Sequence, residues 1–321
     1  MSVKVLRKKL SGGRPVILDG GFGELVRGSY KGSTEGPLWA TSALFTPDGR
    51  QVVANVHAAY AQHADVITTG TFRAQPGTVV DHELKRPGNS SFPRAEMNGV
   101  TDPSRLSRLA IVTAGELAIA ARRDSTRALE VILAGSVGPL KDCYKPGDTP
   151  TNAELEAEHA QIAESFFASG VDFVSVETIP TIRESIIAAK AAKEAGLEYS
   201  INWWGDRGGV GHEETFAQAM NAIEEAGLDP LYIGFNCVRL EDADATLANL
   251  LAVAGSRPVA VSANGNPSKY DHNSCDNPGY AKAAERWVDM GVAANVGAML
   301  IGGCCGTTPE TIAGVRAALI R

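Results

Sequence analysis

No apolar run in this sequence approaches the roughly 20 residues that a helix needs to cross a bilayer. No basic stretch stands out against a formal net charge of −7, which argues against nucleic acid or an anionic membrane as the main partner. Lys4, Arg7, Lys8 and Lys9 are followed by neither a long apolar segment nor a small-residue cleavage site, so the expectation is a cytoplasmic protein. Cysteine is scarce and odd in number, five in 321 residues, which argues against a disulfide framework. A Gly-rich phosphate loop is missing too: Gly21-Phe22-Gly23 follows Asp19, whose carboxylate would repel a pyrophosphate.

What the chain does have is alternation of short apolar runs with helix-compatible segments. Strands are expected at 15–20, 65–72, 129–135, 172–178, 198–204, 231–238 and 258–263, and in the run that leads to Cys304. Helices are expected at 48–64, from Asp102-Pro103 to about 123, after the capping-box pair Thr151 and Glu154, and at 182–195, 215–226, 242–254, 279–290 and 309–320. Leu155, His159, Ile162 and Phe166 share one helical face, so His159 reads as a core residue rather than a ligand. Residues 73–101, rich in Pro, Gly, Asn and Ser, read as a long loop.

Roughly eight strand-helix units without a linker predict an α/β protein built as a single (β/α)8 TIM barrel, one domain over residues 1–321. The joins from helix to strand are short and several from strand to helix are long, which puts the functional loops on the C-terminal rim.

Two adjacent thiols, Cys304 and Cys305, stand at such a strand end. On a regular strand their side chains would point to opposite faces, so both reach one point only if the backbone leaves the strand between them. The flanking glycines supply that freedom. Metal ligation, nucleophilic thiol chemistry and inert packing are all open on this evidence. On a barrel, however, Asp19, Thr71, Glu177, Asn236, Cys237, Cys304 and Cys305 converge on one rim. Three soft thiolates with an open fourth position suit a catalytic Zn2+ and disfavour Mg2+ or Ca2+.

The motifs Asp19-Gly20-Gly21-Phe22-Gly23, Thr68-Thr69-Gly70-Thr71-Phe72, Gly135-Ser136-Val137-Gly138-Pro139, Val176-Glu177-Thr178, Phe235-Asn236-Cys237 and Gly302-Gly303-Cys304-Cys305-Gly306-Thr307-Thr308-Pro309 together resemble the zinc-dependent homocysteine S-methyltransferase family. The resemblance runs from Pro15 to Arg321. It implies that Cys237, Cys304 and Cys305 bind Zn2+, and that Asp19, Gly20, Thr71 and Glu177, with Asn236 beside them, line the pocket for the amino acid end of homocysteine. Two carboxylates suit an α-ammonium, and the amides of the Gly20-Gly21 loop with a hydroxyl suit an α-carboxylate.

The implied reaction moves a methyl group from a small sulfonium, S-methylmethionine or S-adenosylmethionine ahead of betaine, to homocysteine, giving methionine. The competing readings are another thiol acceptor, a corrinoid partner chain, and a non-catalytic zinc- or thiol-binding barrel. The chain lacks a corrinoid Asp-x-His-x-x-Gly motif, and its strand ends lack a Schiff-base lysine. A homo-oligomer is left open. The Asn202-Trp203-Trp204-Gly205 strand departs from the family pattern, and alternation allows at most one of the two indoles to meet a ligand. His212 and His272 fall in rim loops and read as surface residues ahead of substrate contacts. Cys143 and Cys275 have no partner spacing and are given no role.

Overall fold

Eight parallel strands form the centre of the protein, seen in a computed structural model that describes residues 2–32, 34–85, 102–145, 147–148, 150–206, 208–211, 213–265 and 275–320. They are β1 (Val16–Ile17), β2 (Val66–Thr68), β3 (Ile132–Val137), β4 (Phe173–Ile179), β5 (Tyr199–Asp206), β6 (Ile233–Asn236), β7 (Val259–Ala263) and β8 (Met299–Gly303). Consecutive strands pair in parallel from β2 to β8, and β8 pairs with β1 in the register Val16 to Leu300. A parallel bridge from Leu18 to Val66 joins β1 to β2, so the sheet comes round on itself. This is the (β/α)8 barrel expected from the sequence.

Alternation within the strands sorts the side chains into two apolar sets. The outward set, including Ile17, Ile67, Leu133, Val174, Ile201, Ile233, Val261 and Ile301, packs against the surrounding helices. The inward set, including Val16, Val66, Ile132, Phe173, Tyr232, Ala260 and Leu300, fills the N-terminal half of the barrel. Leu6 and Leu10 of the helix Ser2–Leu10 join that inner set, so this helix, not anticipated from the sequence, stoppers the N-terminal end.

Further along each strand the inward residues turn polar: Thr68, Ser136, Ser175 then Glu177, Asn202, Asn236 and Ser262 all face one cavity. Buried hydrogen bonds link them, Asn202 Nδ2 donating to Ser175 Oγ at 3.1 Å and Ser200 Oγ to Ser175 Oγ at 3.4 Å. An apolar lower half and a polar upper half explain why the open end lies at the C-terminal rim.

The capping signals act as read. Asp102 accepts from the Arg105 amide at 2.9 Å, Thr151 and Glu154 form a full capping box, and Gly170 and Gly196 take the left-handed conformation at helix ends. His159 is buried and meets Glu184 Oε1 at 3.2 Å, a core placement.

Three expectations need correction. A helix, Pro76–Lys85, occupies part of the expected 73–101 loop: Pro76 opens it and Val79 anchors it in the core. Residues 86–101 lie outside the described residues. The third strand starts at Ile132, because residues 125–130 form hydrogen-bonded turns that leave Leu129 93% exposed. The fifth strand runs on to Asp206 and folds back onto Gly209–Val210 as a short antiparallel ribbon at the rim.

Candidate active site

The cavity at the C-terminal end has a volume of about 740 Å³, and Asp19, Gly20, Glu177, Asn236, Cys237, Cys304 and Cys305 all line it. The three thiol sulfurs lie within 4.8 Å of one another, and among the described residues they form the single group of three or more His, Cys, Asp or Glu donors close enough to share an ion.

Two local departures from strand geometry bring them together. Cys237 follows the inward Asn236 and would face outward on a regular strand, but its φ of 56° is left-handed and swings its side chain back to the cavity. Cys304 and Cys305 sit beyond β8 in a turn closed by Thr307 N–H to Cys304 C=O at 3.1 Å, with Gly306 at φ 77°. A positive φ at the third position marks a type II turn, the geometry that glycine accepts without strain. The backbone thus leaves the strand between the two thiols, as both reaching one point requires.

Packed this closely and half-buried, the cluster resists full ionisation. Cys237 is held well above the usual thiol range by its neighbours Cys304 and Cys305 and by burial. Three thiolates can coexist here only with a cation among them, and a soft sulfur donor set fits Zn2+.

Two carboxyl groups sit deeper in the wall. Asp19 is 7% exposed and accepts from Thr68 N–H at 2.6 Å and Thr68 Oγ1 at 2.9 Å. Burial raises its pKa to about 7 against those hydrogen bonds. Glu177 accepts from Ser136 Oγ, and burial likewise raises it to about 7, with Asp19 adding repulsion. A β-bulge between Val176 and Ile179 lets Glu177 and Thr178 both face the cavity. Two carboxyl groups on the wall of one cavity are the charge and acceptor set that suits an ammonium group.

Asn236 has a second job. Its Oδ1 accepts from Thr178 N–H at 2.9 Å and its Nδ2 donates to Thr178 Oγ1 at 2.8 Å, clamping a residue whose φ is 57°. Replacing Asn236 by Ala should lower the free energy of urea unfolding by about 1–3 kcal/mol, since a buried amide loses its acceptor. An unchanged unfolding midpoint would remove Asn236 from this role.

Thr71 does not join the cavity. Its hydroxyl bonds Ser136 C=O at 2.9 Å and Thr69 Oγ1 at 2.8 Å, stitching the end of β2 to β3. Thr68 and Thr69 line the cavity instead. The amides read as a carboxylate cradle are also partly engaged: Gly21 N–H donates to Thr307 Oγ1 at 3.0 Å and Phe22 N–H to Gly20 C=O at 2.7 Å.

The two tryptophans separate as alternation requires. Trp203 is buried toward the helices, donating from Nε1 to Ser185 Oγ at 3.0 Å, while Trp204 meets Tyr144 edge-on at 5.3 Å. Tyr144 lines the cavity, and its hydroxyl is held above the usual range by Cys237 first and burial second. Sequence reasoning missed it, along with Cys143, which lines the cavity with its thiol raised by burial to about 11. Glu24, in the first turn of the helix Phe22–Ser29, was missed as well. It accepts the Gly306 amide, and burial followed by Cys305 raises it to about 7. His212 and His272 lie outside the described residues.

Comparison with known proteins gives a consistent picture. Residues 16–319 match the family described as homocysteine S-methyltransferase. A selenocysteine Se-methyltransferase of Brassica oleracea var. italica is 26% identical, the match covering 99% of this chain and 92% of the relative. A betaine-homocysteine S-methyltransferase of Drosophila melanogaster is 25% identical over 94% of each chain. Among solved structures, the metallated form of the homocysteine methyltransferase MmuM from Escherichia coli superposes with a TM-score of 0.75 at 23% identity, covering 98% of this chain and 99% of that one, a likeness of fold.

Proposed function

This chain belongs to the homocysteine S-methyltransferase family, and from that membership we propose that it methylates L-homocysteine to methionine, using a sulfonium donor and a Zn2+ held by Cys237, Cys304 and Cys305. The observation that carries the reading is three clustered thiols in a cavity that the carboxyl groups of Asp19 and Glu177 also line.

Cys237, Cys304 and Cys305 would hold Zn2+, which would supply a Lewis acid that lowers the pKa of the acceptor thiol without a general base. The chain's own residues do the rest. Asp19 and Glu177 take the α-ammonium of homocysteine, and that cation favours their ionised forms, so binding releases protons where both are half-protonated. The carboxylate end meets the loop at Gly20. The acceptor sulfur then forms a bond to the donor methyl as the donor's S–CH3 bond breaks. That bonding pair returns to the donor sulfur, which becomes a neutral thioether, and the acceptor's thiol proton is lost to solvent.

S-methylmethionine and S-adenosylmethionine are the favoured donors, ahead of betaine. The relatives named for selenocysteine make a selenol the competing acceptor. We expect the purified, reduced protein to retain zinc and to form methionine from homocysteine with at least one of the three donors. Absence of zinc from the reduced protein overturns the reading. Zinc without turnover on any donor or acceptor reduces it to a metal-binding barrel.

A further inference from the structure

The proposed ligands leave a carboxylate beside them unexplained. Glu24 reaches from the first turn of the helix Phe22–Ser29 into the cavity and accepts the amide of Gly306, the residue that follows Cys305. Its side chain is also in hydrogen-bonding contact with that of Cys305. Gly306 is the buried corner of the turn that turns Cys305 inward, so Glu24 grips the turn at its corner.

The other bonds on this turn hold different parts of it. Thr307 Oγ1 donates to Cys304 C=O at 2.7 Å, Gly265 N–H donates to Cys305 C=O at 2.8 Å, and Cys304 N–H donates to Ala263 C=O at 2.8 Å. Each fixes a main-chain group. Glu24 touches both the Gly306 corner and the Cys305 side chain, so it bears on where one sulfur points.

We propose that Glu24 is a positioning residue for the cysteine site: by holding the Gly306 amide it sets the direction of Cys305 Sγ relative to Cys237 and Cys304, and so the affinity and geometry of the metal site. This rests on the zinc reading above. A three-sulfur site tolerates little angular error, because each donor must meet the ion at a fixed distance and angle. Groups that orient ligands without touching the ion alter metal affinity by about 10- to 100-fold. Glu24 also lies five residues beyond Asp19 on the same segment, so one stretch of chain supports both the acceptor pocket and the metal turn.

The test is Zn2+ affinity, by competition with a chromophoric chelator, together with the thiolate-to-metal and d–d bands of the Co2+-loaded protein. Wild type, Glu24→Ala and Glu24→Gln are compared, with circular dichroism to establish folding. Glu24→Ala should bind Zn2+ about 10- to 100-fold more weakly and shift the Co2+ bands, whereas Glu24→Gln, which keeps an oxygen acceptor for the Gly306 amide, should stay within about threefold of wild type with its bands unmoved. If Glu24→Ala does not fold, Glu24→Asp carries the test, its carboxylate one methylene short and its affinity expected to fall at least about fivefold. Affinity and spectra equal to wild type in the shortened variant, or a loss as large in Glu24→Gln, overturn the proposal. Wild-type protein that binds neither ion overturns the zinc reading itself; a wild type that binds both, beside a shortened variant that matches it, overturns only the role of Glu24.

Discussion

Cys237→Ala is expected to lose zinc and methyl transfer together while keeping its fold. Cys237 is the one proposed ligand supplied by β6; Cys304 and Cys305 share a single turn after β8, and a pair of neighbours cannot surround an ion. Structural zinc sites bind with roughly 10–16 kcal/mol over four ligands, so one thiolate accounts for about 3 kcal/mol, more than about 100-fold in affinity. The metal's contribution to thiol ionisation is several kcal/mol, so kcat/KM should fall by more than about 100-fold as well. Cys237→Ser should fare little better, because a hydroxyl is a poor partner for a site chosen for softness. The side chain fills no part of the apolar core, and the thermal midpoint of the metal-free protein should barely move. Metal content after dialysis against a weak chelator, read beside turnover, decides the matter: a variant that keeps both has disproved the ligand assignment.

The second large effect is expected at Glu177. Glu177→Gln keeps the oxygen that accepts from Ser136 Oγ and removes the charge proposed to face the substrate ammonium. Hydrogen bonds to charged groups contribute about 1.5–3 kcal/mol, so the KM for homocysteine should rise by roughly 10- to 100-fold with a smaller change in kcat. Stability should move the other way. The folded carboxyl titrates at about 7 against 4.5 for an ordinary glutamate. Its contribution is therefore fully present below pH 4.5 and is lost as pH rises through 7. Metal-free wild type should lose thermal stability relative to Glu177→Gln across that window, the gap levelling off above it. A homocysteine KM unchanged in the variant would remove Glu177 from the acceptor pocket, and a pH-independent gap would show that its carboxyl ionises normally.

The sequence carried the barrel because inward and outward residues alternate on strands short enough to be read as runs, and because helix-to-strand joins such as Ser169-Gly170-Val171 are tight. The stopper helix Ser2–Leu10 was not legible: its apolar residues find partners only after the barrel interior exists. At the site, the residues nearest the strand ends were legible and the backbone was not. Nothing in Asn236-Cys237 announces a left-handed cysteine, and nothing in Glu177-Thr178 announces a bulge with a left-handed threonine, yet these two kinks turn Cys237 and Thr178 into the space that Glu177 already faces by alternation. Thr71 shows the reverse. Read as a strand-end hydroxyl, it lies past a turn whose Thr71 N–H bonds Thr69 C=O at 2.8 Å, and so it faces β3. Glu24 was hidden because its partner, Gly306, is 282 positions away.

That distance has a consequence for how the protein comes into being. The Gly21 amide and the Thr307 hydroxyl that meet at the seam between β1 and β8 are 286 positions apart, and joining them closes a loop that takes in most of the chain. A partly zipped sheet holding seven strands would carry Cys237, Asp19 and Glu177 without the last turn. Such an intermediate has the acids but one thiol of three, so under the proposed function it would neither hold an ion nor act on an acceptor. Contacts of this sequence separation form late and slowly. On the zinc reading, competence therefore arrives in a single event, when the last strand docks against the first, and a nascent or misassembled chain would have no reactive metal-thiolate chemistry to leak.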